Sequence, residues 1–321
     1  MKIRSCSFKP LVSYYQVKRP IDWQSQFNDD APLEVEIGFG MGETLIRSAQ
    51  KFPDRNFIGI EQHWAQIYRA LSRITTWQNS VNPPRRENIK ILNIDARCAF
   101  ERLFPPQTID RVYSLFPCPW PKKKHAKHRL FSHEFLKLLN SRLKDKGTLE
   151  IVTDYYPYQQ WILEEADNTG LGVETRSIKP QFDTKYERKW LATGQKEFFE
   201  IKLAKIFHQD IPVSGDVILK AYKLKHFDPA KFKFVDHKDE VSIIFKDLFF
   251  DAGKNEALVY VIVAEENLTQ NFWVTIDQKN GNWRVKKTEG QDFFPTPGIH
   301  LAMQCVFEAA AATSSKNTGV S

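Results

Sequence analysis

Between Leu33 and Thr153, short β-rich runs alternate with helical stretches, and that rhythm constrains the fold more than any other feature. Leu33–Ile37, Phe57–Glu61, Ile89–Ile94, Arg111–Phe116 and Thr148–Thr153 read as strands, rich in branched and aromatic residues. Glu43–Lys51, Trp64–Trp77, Arg97–Leu103 and Ser132–Leu143 read as the helices between them. Parallel strands need long crossovers and helices supply them, so the pattern predicts an α/β fold with a mostly parallel sheet covered on both faces. Ligands of such sheets bind beyond the carboxyl ends of the strands, where strand order reverses. Chemistry is therefore expected in the loops after the first four strands.

A strand around Glu197–Leu203 closes this domain in our reading. Beyond Pro229, Val241–Phe250, Ala257–Ala264, Asn271–Ile276 and Asn282–Lys286 read as an antiparallel meander, turning at Ala252-Gly253 and Asn280-Gly281, before a final helix over Gly298–Ala312. The expected organisation is an N-terminal extension (1–32), a main domain (33–205), a connector (206–229), a smaller α+β module (230–314) and a disordered tail (315–321). A chain of 321 residues accommodates two cores.

Composition narrows the function. The four cysteines, Cys6, Cys98, Cys118 and Cys305, lack CxxC or Cys/His spacing, so neither a disulfide framework nor a metal site is expected. Residues 1–20 have no apolar leader core, and no run approaches the ~18 apolar residues of a membrane span. A cytoplasmic location is expected. The formal charge of +7 suits a polyanionic partner if it is concentrated in one place.

The first strand ends in Glu36-Ile37-Gly38-Phe39-Gly40-Met41-Gly42. Glycines at alternate positions allow a tight turn and close approach of a ligand to the backbone. A dinucleotide fingerprint would place its third glycine where Glu43 stands, which weakens a pyrophosphate reading. Glu61, ending the second strand, is placed to accept from ribose hydroxyls, and Asp95, ending the third before Ala96, from an adenine amino group. Each carboxylate alone reads equally well as a helix cap or turn residue.

The loop after the fourth strand, Phe116-Pro117-Cys118-Pro119-Trp120-Pro121 followed by Lys122 to Arg129, is the most specific segment. Lys122, Lys123, Lys124, Lys127 and Arg129 put five fixed positive charges into eight residues, interleaved with His125 and His128. A basic loop beside a cofactor pocket can grip phosphates while a base stacks or is extruded into the site.

With these residues in view, the chain over roughly residues 30 to 205 resembles the bacterial tRNA (guanine-N7-)-methyltransferase family. The resemblance rests on Glu36–Gly42, Gly59-Ile60-Glu61, Asp95-Ala96, Phe116–Lys122, Thr153-Asp154-Tyr155 and Thr184-Lys185-Tyr186-Glu187. It implies a Rossmann-like class I methyltransferase sheet, mostly parallel with seven strands, and S-adenosyl-L-methionine as cofactor. By that resemblance Glu36, Gly38, Gly40, Gly42, Glu61, Asp95, Ala96 and Cys118 contact the cofactor. Lys122, Asp154, Thr184 and Glu187 contact substrate, and Lys124, His125, Lys127, His128 and Arg129 bind tRNA. Read alone, Asp154 is a helix cap near Tyr156, and Thr184 with Glu187 a capping box.

One departure stands out: the family's loop aspartate, treated as catalytic, is Cys118 here. Guanine N7 has a lone pair and no proton to remove, so methyl transfer needs no general base, and negative charge from Asp154 and Glu187 would favour the cationic product. Four other readings stay open: Cys118 as a nucleophile that forms a covalent adduct, Cys118 as a buried structural thiol, a tRNA-binding homologue that no longer transfers methyl groups, and a methyltransferase with another substrate. Monomer and homodimer are both compatible with the sequence.

Overall fold

The computed structural model describes residues 6–80, 87–195, 197–265 and 267–314. The expected tail at 315–321 and the first five residues of the N-terminal extension lie outside the described residues. The chain divides into two compact units, residues 1–214 and 215–321. Lys and Arg exceed Asp and Glu only in the first, since residues 215–321 hold 13 of the former and 14 of the latter.

The first unit opens with α1 (Trp23–Phe27), capped by Asp22. β1 (Leu33–Ile37), α2 (Glu43–Lys51), β2 (Asn56–Glu61), α3 (Trp64–Asn79), β3 (Ile89–Asn93), α4 (Ala96–Arg102) and β4 (Ile109–Leu115) then alternate. α5 (His133–Arg142), β5 (Leu143–Thr153), α6 (Tyr156–Glu165), β6 (Leu171–Ile178), α7 (Lys185–Ala192) and β7 (Phe198–Lys205) complete it. The sheet has seven strands in the order β3-β2-β1-β4-β5-β7-β6. β1 to β5 pair in parallel, and β7 runs antiparallel between β5 and β6. Every residue of β1 is buried, as a strand covered on both faces requires.

The order reverses between β1 and β4, the neighbours from which the chain winds outward in both directions. Ahead of α1, Leu11 bridges to Ile91 and Ile91 N donates to Pro10 O at 2.8 Å, which partners the free edge of β3. β6 was not expected from the sequence. Seven of its eight residues are at least partly exposed and five are polar or glycine, so no buried face is readable in it.

The second unit is a six-stranded antiparallel sheet in the order β8-β13-β12-β11-β10-β9: β8 (Tyr222–Leu224), β9 (His237–Lys238), β10 (Val241–Asp251), β11 (Glu256–Glu265), β12 (Leu268–Lys279) and β13 (Asn282–Lys287). α8 (Pro297–Ala312) covers one face. On β11, Ala257, Val259, Val261 and Val263 alternate inward against Ile299, Ala302, Met303 and Val306 of the helix. Burial of each valine, isoleucine or methionine side chain there contributes roughly 1.5–3 kcal/mol. Asn280 and Gly281 turn with φ of 52° and 76°, the geometry that fits a two-residue hairpin. The stretch read as a connector requires correction: Tyr222–Leu224 inside it pairs with β13, and three edge residues are too few to show a period. Among the described residues no helix is long and apolar enough to cross a membrane.

Candidate functional site

A cavity of about 430 Å³ opens beyond the carboxyl ends of β1 to β4, at the reversal of strand order. Its first wall is the glycine turn. Gly38 and Gly40 adopt φ of +73° and +55°, and a Cβ on either would meet nothing within 4 Å, so the bare backbone faces open space. Phe39 between them points down and is buried. A Cβ on Gly59 of β2 would lie 2.5 Å from the Phe39 ring, so the glycine of Gly59-Ile60-Glu61 is the recess that seats the turn. Gly42 does not border the cavity; with φ of +75° it caps α2 and packs against Ala70.

Four carboxylates border the cavity: Glu36, Glu61 and Asp95 at strand ends, and Glu43 in the first turn of α2. Glu36 is only 3% exposed, and among the described residues its Oε2 has no hydrogen-bond partner. Burial pushes its carboxyl up to about 8, with the Tyr113 hydroxyl and Arg47 charge opposing only in part. Glu61 accepts from Gly40 N at 3.2 Å and from Gln62 N and His63 N, both at 2.9 Å, which ties the end of β2 to the glycine turn. Asp95 caps α4, accepting from Arg97 N at 2.8 Å and Cys98 N at 3.4 Å, and also receives the Gln62 amide. Local capping and a place at the cavity thus coexist at Asp95, and Ala96 borders the cavity beside it.

The opposite wall is the loop after β4. Phe116 and Trp120 both adopt positive φ, 56° and 43°, and both precede proline, a combination that strains the backbone at two points. Between them Cys118 is exposed and borders the cavity. The Trp120 indole stacks on the half-buried His125 ring with centroids 5.7 Å apart and 6° between planes. His128 lies 5.2 Å from the same indole and also borders the cavity. Lys122, Lys123, Lys124 and Lys127 are exposed and do not border the cavity, around a short 3₁₀ turn over Lys123–His128. Arg129 differs from them: it is buried.

The last wall is the start of α7. Thr184 caps this helix, accepting from Glu187 N at 3.1 Å, and Thr184, Lys185 and Tyr186 border the cavity. Glu187 does not. It is buried, and its carboxylate accepts from Gln181 N at 2.7 Å, Phe182 N at 3.2 Å and Asp183 N, so it shapes the loop before the helix. Asp154, just past β5, is also outside the cavity lining, and Tyr155 rather than Asp154 is the cap residue of α6. Burial raises the Asp154 carboxyl above its ordinary value, its own backbone and Lys189 opposing.

Residues 30–200 match a family model described as "Putative methyltransferase". The tRNA (guanine-N(7)-)-methyltransferase of Chlorobium phaeobacteroides is 47% identical over 180 residues, 56% of this chain and 85% of that protein. The chain belongs to the tRNA (guanine-N7-)-methyltransferase family. The Thermotoga maritima member is 28% identical over 325 residues, 95% of this chain and 99% of its own, so its likeness runs through both units. The Thermus thermophilus member is 33% identical over 270 residues, covering 80% of this chain and 82% of its own.

Sequence reasoning passed over one residue that completes the site. Glu43, in the first turn of α2, accepts from Lys185 N at 3.1 Å and pairs with Arg188 at 2.9 Å and Arg73 at 3.3 Å. It thereby holds the start of α7 against the glycine turn. An acid in a first helical turn is ordinary dipole compensation, so nothing in the sequence marked it out.

Proposed function

We propose that this chain transfers the methyl group of S-adenosyl-L-methionine to N7 of a guanine in tRNA, with the variable-loop guanine as target and the cytoplasm as its compartment. The observation that carries the reading is the cavity: its glycine turn and its Cys118 loop both lie within the stretch matched by the family model. The relatives, each named as a methyltransferase, give no support to a noncatalytic homologue.

The residues present fit this cofactor. The open backbone over Gly38 and Gly40 leaves room for a ligand, and the unpartnered Glu36 oxygen offers a buried site for a cationic group. Glu61 and Asp95 present carboxylates to hydroxyl and amino donors. When bound, the cofactor supplies an electrophilic methyl on a positively charged sulfur. The chain's own residues then have positioning work to do. Trp120 and the His125 and His128 rings form an aromatic wall on which a base can stack, and the exposed lysines beside it bind phosphates. Because N7 carries a free lone pair, no residue has to remove a proton. Orientation alone is worth up to about 7–11 kcal/mol when reacting groups are held in line. We assign Asp154 and Glu187 a role through their charge and their loops, without direct contact.

The test is transfer of labelled methyl from S-adenosyl-L-methionine to unmodified tRNA, followed by nucleoside analysis. We expect the label in 7-methylguanosine. Label in another nucleoside, or none although tRNA and cofactor both bind, would overturn the reading.

A further inference from the structure

Arg129 ends the basic run and looks in sequence like one more phosphate ligand. Its surroundings are those of a clamp. The residue is 9% exposed, and its guanidinium lies over two rings of α6, 5.6 Å from the Tyr158 centroid and 5.0 Å from that of Trp161. Those rings stack on each other with centroids 5.7 Å apart. From this position Nε donates to the Pro119 carbonyl at 3.0 Å, the peptide that enters the strained Trp120. A second arginine secures the other end: Arg97 donates to the carbonyls of Arg129 at 2.5 Å and Leu130 at 3.2 Å, and Arg97 itself borders the cavity next to Asp95. Among the described residues neither arginine forms an ion pair with an acid.

We propose that Arg129 is a positioning residue for methyl transfer, holding Cys118 to Trp120 in the strained conformation that forms the acceptor wall of the cavity. The proposal rests on the methyltransferase reading above. Phe116 and Trp120 are strained in the left-handed region, so the loop keeps that shape only while other contacts over-determine it. Prolines 117, 119 and 121 limit the alternatives, and the Arg129 bond to Pro119 fixes the one that remains. A guanidinium suits this task because it stacks flat on aromatic faces while donating in plane; a lysine ammonium does neither. RNA phosphates are then left to the four exposed lysines.

The experiment compares wild type with Arg129→Gln, Arg129→Lys and Trp161→Leu. Three quantities are measured: single-turnover methyl transfer at saturating tRNA, tRNA affinity across a salt series, and the alkylation rate of Cys118 by iodoacetamide, read by peptide mapping. Arg129→Gln is expected to slow transfer at least 30-fold, to leave the salt slope of tRNA binding unchanged and to raise the Cys118 alkylation rate several-fold. Arg129→Lys should restore little of the loss, and Trp161→Leu should show the same pattern more weakly. If Arg129→Gln does not fold, Trp161→Leu carries the test by itself. Weaker tRNA binding with a salt slope smaller by about one, and transfer at saturation unchanged, would make Arg129 a phosphate ligand and overturn the proposal. So would Cys118 alkylation identical to wild type in a folded variant. Alkylation requires no turnover, so the clamp remains testable even if wild type fails to methylate tRNA.

Discussion

The turn after β1 and the loop after β4 both leave the sheet through residues of positive φ. The first does so at Gly38, Gly40 and Gly42, the second at Phe116 and Trp120. Glycine takes that conformation freely, so the first turn is held without strain by Phe39 seated over Gly59 and by the Gly40 N bond to Glu61, and it offers a ligand bare backbone. The second carries its function in side chains, which glycine cannot supply. It therefore adopts the same region at a cost of strain and is held by proline rings, ring stacking and a buried arginine. The contrast shows that a site can fix backbone shape by omission or by over-determination, and the two respond differently to substitution.

The largest effect should come from adding a branched side chain to the first turn. Gly40→Val would impose left-handed strain and place methyl groups in the cavity, and we expect cofactor affinity measured by calorimetry to fall at least 100-fold, about 3 kcal/mol. The converse change in the second loop separates strain from function. Trp120→Gly relieves the backbone yet removes the indole that stacks on His125; saturating turnover should fall roughly 10-fold while cofactor affinity holds. An unchanged turnover would show that the indole, for whose sake the strain is tolerated, serves nothing.

Glu36 gives the comparison a pH dependence. Its folded carboxyl titrates at about 8, above the ordinary value of 4.5, so the folded state holds an extra proton between those limits. Stability is therefore present at low pH and falls as pH rises from about 4.5 to about 8. A cationic ligand group favours the ionised form, so cofactor affinity should rise with pH and level off above about 8. Glu36→Gln should flatten both profiles, stabilise the free protein at pH 8 by about 1–3 kcal/mol in a denaturant titration, and weaken cofactor binding roughly tenfold. Affinity that falls with pH in wild type would reverse the assignment.

The smallest effect is expected on the exposed side of the second loop. Lys122→Ala should weaken tRNA binding a few-fold at physiological salt and lower the slope of log affinity against log salt by about one. No change in slope would remove Lys122 from the phosphate contacts.

Much of the first unit could be read before the structure because buried parallel strands are short apolar runs. Leu33–Ile37 was bounded correctly, and Glu36, Glu61 and Asp95 stood out because strand ends are where such sheets bind ligands. What could not be read were properties decided by distant residues. Arg129 is indistinguishable in sequence from the lysines before it; its burial depends on Tyr158 and Trp161, about 30 residues later. Glu187 looks like a site acid, but its carboxylate turns back onto Gln181, Phe182 and Asp183. β6 and β8 escaped for the opposite reason, since exposed or very short edge strands carry no hydrophobic period.

The central claim is that transfer depends on placing guanine N7 against the methyl group and asks no proton removal or covalent bond of position 118. Single-turnover methyl transfer to tRNA by Cys118→Ala tests it most directly. The account predicts a rate within about tenfold of wild type, because alanine keeps the loop between Pro117 and Pro119 and removes only a weak hydrogen-bonding group. A loss of about 1,000-fold or more in a folded variant that still binds tRNA and cofactor would make Cys118 a chemical participant and contradict the account.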